Sequence, residues 1–318
     1  MSAELQSYQP DLVIVAYVPL GYGPRTGGLA PAFVLWCASL RKRLRCRTVL
    51  LAHEASLPVL YHWQNREVKL ALLATVQLAQ FSFLTGYFDS VLFSNEGTRE
   101  LWARRLSGSA SRFHTIRICS NIPFQSSADP AAELVADGRE VPAVAILFFG
   151  TGHPSVLFDY VEAAFLALLE IEPRAVLIVV GMDAERLRQL RPSLANLGAS
   201  VQTLGYVAAR QVSLWLQVAK LVLAPLIEGV SARKGTVMAA LQHGQTVVTT
   251  RGIHTRDDIA WNEICALAPL SRERFAELTV ELYSDAQRRA EIGRAARIEY
   301  EAHASASVTA ARILECGK

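Results

Sequence analysis

Short apolar runs that stop at a glycine, a proline or a polar turn alternate with segments of helical period along most of this chain. No other feature restricts the fold as much. Apolar runs read as strands at 11–18, 47–52, 90–94, 114–118, 143–149, 175–180, 200–204, 221–224 and 246–250. Helical periods lie between and after them, at 31–44, 65–83, 96–106, 156–170, 184–194, 208–218, 236–242, 272–283, 286–302 and 305–314. The runs are rich in Val, Ile and Leu and alternate little, which describes strands buried on both faces. Strands alternating with helices build parallel sheets through right-handed crossovers, so the expected class is α/β and Rossmann-like. Ligands of such sheets bind beyond the carboxyl ends of the strands.

The chain has 318 residues, enough for two domains with a core each, and is 51% hydrophobic and 19% charged, which excludes disorder. Gln125 to Pro142 is rich in Ser, Asp, Ala and charge with no periodic apolar face, and is read as the boundary. The expected organisation is a domain at 1–125, a second at 141–285, and helices at 286–318 packing back toward the first. A net charge of +3 gives no argument for nucleic acid. The five cysteines show no metal-binding spacing and are read as reduced thiols of a cytoplasmic protein. The N-terminus lacks the features of a signal peptide. Val68 to Phe88 is apolar but interrupted by Gln77, Gln80, Ser82 and Gly86, and reads as a buried helix rather than a span.

The most informative stretch is Leu221 to Thr250, a strand, loop, helix, strand unit. Its loop carries Glu228, Gly229, Ser231, Arg233, Lys234 and Gly235, and the helix opens at Thr236. Two cations and a glycine at a helix start, where unpaired N–H groups and the dipole favour an anion, suit a phosphate. Glu228 suits the hydroxyl groups of whatever the phosphate carries, so the pair suggests a sugar nucleotide. A solvated loop with no ligand is the competing reading.

This stretch resembles the signature loop of family 4-like retaining glycosyltransferases of the GT-B fold, in which a glutamate, a Gly-rich turn and a helix hold the donor sugar and its diphosphate. One branch is more similar still, with an acidic-Gly-Val-Ser-x-basic-basic-Gly-Thr loop matching Glu228, Gly229, Val230, Ser231, Arg233, Lys234, Gly235 and Thr236. The resemblance implies two Rossmann-like domains facing a cleft and a metal-independent transfer of a sugar, with no cofactor beyond the nucleotide-diphosphate sugar as donor substrate. It also implies donor-binding roles for those loop residues and for Gly150 and His153 after the strand at 143–149. The chain departs from the common pattern in three places. Thr236 stands where a second glutamate binds the ribose, and His153 and Val156 stand where an arginine and a lysine neutralise the diphosphate. The N-terminal domain, with about four strands, is reduced. These departures support an alternative from another class, a non-catalytic GT-B protein that binds or activates a partner transferase.

In the N-terminal half, Gly21, Gly23, Gly27 and Gly28 follow the first strand and read as turns before ligand contacts. The strand at 47–52 delivers His53 and Glu54 at its carboxyl end. A lone histidine is more often packed than functional, but the family carries a His-Asp or His-Glu pair at the matching strand end, so His53 becomes the expected catalytic partner of Glu228 and Glu54 the second candidate. Ser94 and Asn95 end the next strand. Arg41, Lys42, Arg43, Arg45 and Arg47 close a helix. The dipole accounts for part of that cluster, and a peripheral contact with an anionic membrane or a phosphorylated acceptor for the rest. Arg251, Gly252 and His254 follow the strand at 246–250 and are read as a link before a ligand contact. A glycosyl acceptor is the second expected partner.

Overall fold

The computed structural model describes residues 7–22, 29–43, 46–53, 68–256 and 258–317. Gly23, Gly27, Gly28, Arg45 and Glu54, and the side chains of Arg41, Lys42 and Arg43, lie outside the described residues. The chain forms two compact units, Met1–Arg117 with Thr309–Lys318, and Ile118–Val308.

The first unit holds a parallel sheet of β1 (Leu12–Tyr17), β2 (Arg47–Ala52), β3 (Ser90–Phe93) and β4 (Phe113–Thr115), in that order across the sheet. When every right-handed crossover steps in the same direction, the crossover helices all fall on one face. That face is where the core lies. Val13, Val15, Tyr17, Leu50, Ala52, Val91, Phe93 and Phe113 meet Cys37 and Leu40 of α1 (Pro31–Arg43), Phe81 and Leu84 of α2 (Val68–Thr85), and Trp102 of α3 (Glu96–Arg105). The opposite face receives the end of the chain: Ser90 donates to the carbonyl of Cys316, and a Cβ on Gly317 would stand 3.0 Å from Leu12 Cδ1.

The second unit is built on six parallel strands, β5 (Val144–Phe149), β6 (Ala175–Val180), β7 (Val201–Gly205), β8 (Leu221–Ala224), β9 (Val247–Thr250) and β10 (Ala266–Ala268), ordered β10-β9-β8-β5-β6-β7. The order runs one way from β5 through β6 to β7 and the other way from β8 to β10, so the topological switch lies between β5 and β8. Successive strand residues face opposite cores. Ala145, Leu147, Val222 and Ala224 pack under α4 (Pro130–Ala136), α7 (Ala209–Val218), α8 (Gly235–Gln242) and α10 (Ala286–His303). Val144, Ile146, Phe148, Leu221 and Leu223 pack under α5 (Phe158–Ile171), α6 (Ala184–Leu190) and α9 (Arg272–Ser284). Two apolar faces explain why these runs read as continuous rather than alternating.

Three differences from the sequence reading concern helices. The stretch taken as the boundary contains α4, capped by Asp129 on Ala132 N at 3.0 Å and anchored by fully buried Leu134. One apolar anchor among charges leaves no period to detect. The helix expected over 184–194 stops at Arg191, because Pro192 has no N–H to continue it and starts a new turn, Pro192–Ala195. The block expected to return from 286 to the first domain is split. α10 keeps Ile292, Ala296 and Tyr300 buried within the second unit, where the Tyr300 hydroxyl accepts from Ser120 N at 3.0 Å, and only residues from Thr309 onward belong to the first.

Candidate functional site

The switch between β5 and β8 places two loops side by side, and their backbones are joined. Leu157 N donates to Pro225 O at 3.1 Å, Ile227 N donates to Ser155 O at 2.9 Å, and Val156 bridges Leu226. A third loop, after β9, packs on the second backbone to backbone at Gly229 and Gly252. A Cβ on Gly229, which has φ 79°, would lie 2.2 Å from Gly252 N, and one on Gly252 would lie 2.4 Å from Glu228 C. Only glycines permit that approach. His254 N then donates to Glu228 O at 2.8 Å.

The three loops bring together charges that are distant in sequence. Glu228 Oε2 lies 2.9 Å from Arg233 Nη2, 3.3 Å from Lys234 Nζ and 3.4 Å from His254 Nδ1. Lys234 Nζ also reaches Ser155 Oγ at 3.4 Å, and Ser155 Oγ bonds His153 Nδ1 at 2.8 Å. With a proton on His254 Nδ1, its hydrogen bond is the strongest influence holding the Glu228 carboxyl well below the usual carboxylate range; burial opposes it, and the charges of Lys234, His254 and Arg233 add to it.

α8 starts in the middle of this cluster. Lys234 occupies its capping position and provides no side-chain acceptor for the first turn, where Ser, Thr, Asp or Asn is usual, and that turn has no carboxylate. Its N–H groups therefore have no side-chain cap and join the two cations in favouring an anion. Gly235 is exposed at the helix start, where an added Cβ would meet nothing within 4 Å, whereas a Cβ on Gly150 would lie 3.9 Å from Thr236 Cγ2. Glu228, Gly229, Arg233, Lys234, Gly235, Thr236, Gly150 and His153 thus belong to one locality. Ser231 lies in the same loop, but its hydroxyl is buried and has no hydrogen-bond partner among the described residues. His53 belongs to the first unit, at the carboxyl end of β2. Its N–H donates to Tyr17 O at 3.1 Å, and its carbonyl accepts from Ser94 Oγ at 3.2 Å. Sequence reasoning missed Ser155, and it favoured a linking role for the loop of His254. Among the described residues no three His, Cys, Asp or Glu side chains are grouped to hold a metal ion.

Comparison with known proteins bears on this locality. Residues 143–285 match the family Glycosyl transferases group 1. The matched segment lies wholly within the second unit and contains all three loops of the site. No curated protein sequence matches the chain. Among solved structures, sucrose-phosphate synthase from Thermosynechococcus elongatus superposes with a TM-score of 0.72 at 18% identity, over 98% of this chain and 74% of that one. WaaG, a glycosyltransferase involved in lipopolysaccharide biosynthesis, gives 0.71 at 14% identity, over 98% and 92%. Anabaena HepE in complex with UDP and glucose gives 0.68 at 15% identity, over 99% and 80%. The chain therefore has the GT-B fold, and the segment that matches the glycosyl transferases group 1 family carries the charged cluster at the switch point.

Proposed function

We propose that the protein transfers a sugar from a nucleotide-diphosphate sugar to an acceptor, with retention of anomeric configuration. The observation that carries this reading is the convergence of Arg233, Lys234 and the uncapped start of α8 at the switch point. Charge develops on the departing diphosphate in the transition state, and fixed cations and N–H groups aimed at it commonly lower such a barrier by several kcal/mol. Glu228, held ionised, accepts hydrogen bonds from donor hydroxyls. His53 is assigned to the reacting face of the donor on the family resemblance. The charge stabilisation is assigned to side chains and helix N–H groups, with no metal in the step. The HepE structure holds UDP and glucose, which supports a nucleotide-sugar donor here.

Calorimetric titration with a panel of nucleoside diphosphates and their sugars tests the reading. One base is expected to bind, and binding is expected to be lost in the Arg233→Ala/Lys234→Ala double variant with folding retained. Binding that survives the double variant refutes the phosphate assignment. Absence of binding to every member of the panel favours the partner-protein reading, which Thr236, His153 and Val156 support by standing where the family pattern has charged residues.

A cytoplasmic, membrane-peripheral location is part of the same proposal. Val68, Leu72, Val76 and Phe83 lie along one face of α2 and are 49–66% exposed, and Leu35 of α1 is 71% exposed. Neither helix contains a carboxylate, while α1 ends in Arg41, Lys42 and Arg43 and α2 begins with Lys69. Helices that pair an apolar stripe with cations in their sequence and no carboxylate fit the surface of an anionic bilayer. No described helix is long and apolar enough to cross one. Co-sedimentation with anionic but not zwitterionic vesicles, weakened by Leu72→Ser/Phe83→Ser, is the expected result. Failure to bind, with a dimer seen by light scattering, would assign the stripe to a second copy instead.

A further inference from the structure

His254 makes two contacts that its ring nitrogen cannot satisfy at once. Nδ1 lies 3.1 Å from Arg233 Nη2 and 3.4 Å from Glu228 Oε2. A guanidinium only donates, so the first contact needs a lone pair on Nδ1; a carboxylate only accepts, so the second needs a proton there. The two are alternatives, exchanged by a change of tautomer or by protonation.

Each state gives Arg233 a different task. With a lone pair on Nδ1, Arg233 is held by both His254 and Glu228. With a proton on Nδ1, His254 takes over as donor to Glu228 beside Lys234, and Arg233 faces an N–H group that drives it off. The alternatives matter because Arg233 and Lys234 side chains are only 20% and 15% exposed within the cluster, so an incoming anion competes with Glu228 for them. We propose that His254 is a positioning residue that releases Arg233 to the donor diphosphate by replacing it on Glu228. This rests on the reading of Arg233 and Lys234 as the diphosphate site.

The charged groups around the imidazole are Glu228, Arg233 and Lys234 from the loop after β8. Lys234 leads on to Ser155 and His153 of the loop after β5. On its own loop are Arg251, which donates to Asn262 at 3.2 Å, with Arg256 and Asp258.

Nitrogen-15 NMR of histidine-labelled full-length protein separates this proposal from the reading beneath it. Without ligand, His254 Nδ1 is expected to show the lone-pair type of resonance in the wild type and the N–H type in Arg233→Ala. No difference between them overturns the exchange. Inorganic pyrophosphate added to the wild type is expected to convert Nδ1 to the N–H type. Its affinity is expected to fall about tenfold or more in His254→Ala, the scale of a lost hydrogen bond to a charged group, and to recover in His254→Asn, whose amide still donates to Glu228. The ratio of wild-type to His254→Asn affinity is expected to vary with pH across the histidine range, the protonation of pyrophosphate itself being common to both proteins. Equal affinities and pH profiles in all three proteins overturn the positioning role. If the ligand-free exchange is seen but pyrophosphate does not bind, the diphosphate site fails, and the role of His254 in serving it fails with it.

Discussion

Glu228 concentrates the electrostatics of the site on one oxygen atom. Its carboxyl titrates well below the ordinary 4.5 because the folded state surrounds it with His254, Lys234 and Arg233. A carboxyl depressed by folding contributes stability that is present in full above its unfolded value and is lost as pH falls toward the folded one. The expected outcome is that Glu228→Gln is less stable than the wild type at neutral pH and that the gap narrows between about pH 5 and pH 3. Urea midpoints across that range measure it. Gly235 makes a separate point, because open space surrounds the position a Cβ would take. Gly235→Ala is expected to keep the melting temperature, since alanine suits a helix better by up to about 1 kcal/mol. It is also expected to weaken nucleoside diphosphate binding by about tenfold or more, because the methyl group occupies the approach to the helix start. Unchanged affinity would move the phosphate elsewhere. The sequence exposed Glu228, Arg233 and Lys234 because all three follow one strand within a few positions. It hid Ser155 and His254, which join them from 79 and 21 residues away. Only the sheet order makes them neighbours.

At the scale of elements, α7 and α8 are tied by a buried pair. His243 Nδ1 donates to Ala239 O at 2.7 Å, which leaves Nε2 to accept from Ser213 Oγ at 2.7 Å, and Ser213 Oγ in turn accepts from Gln125 N at 2.9 Å. Ser213→Ala leaves the Gln125 N–H and the His243 nitrogen unpaired and is expected to cost about 1–3 kcal/mol in denaturant unfolding. Burial pushes the His243 imidazole below its ordinary value; the Ala239 bond opposes this, and the Arg297 charge adds to it. The folded ring stays neutral while the unfolded one takes up a proton, so this group's contribution is full above about pH 6.5 and declines as pH falls below it. Unfolding measured at pH 7.5 and pH 5.5 is expected to show a smaller loss in His243→Asn than in the wild type. The strands were the most legible elements, with 47–52 and 175–180 read to the residue, because fully buried parallel strands are unbroken apolar runs bounded by turns. α4 and β10 were not read, one being anchored by a single leucine and the other three residues long. His254 was weighed as part of a connection because nothing in its own segment reveals the Gly229–Gly252 approach that docks it.

For the whole molecule, the alternation of runs fixed the class and the parallel sheets, but it did not fix where the units divide. The chain leaves the first unit after Arg117 and re-enters it at Thr309, and Thr309 Oγ1 donates to Arg117 O at 3.1 Å, joining the two crossings. Removal of residues 306–318 is expected to destabilise the first unit selectively. Limited proteolysis is then expected to cut within residues 7–117 while a fragment near 118–305 persists, and equal resistance in both forms would show that the helix Ala306–Cys316 contributes nothing. The discontinuity also has a consequence for synthesis. The strands of the first sheet leave the ribosome before any part of the second unit, yet the helix that closes their other face, Ala306–Cys316, emerges only after the second unit. The second unit is contiguous and reaches completion first. The order of finishing thus reverses the order of starting, and the nascent chain carries an open sheet face until residues 306–317 are added.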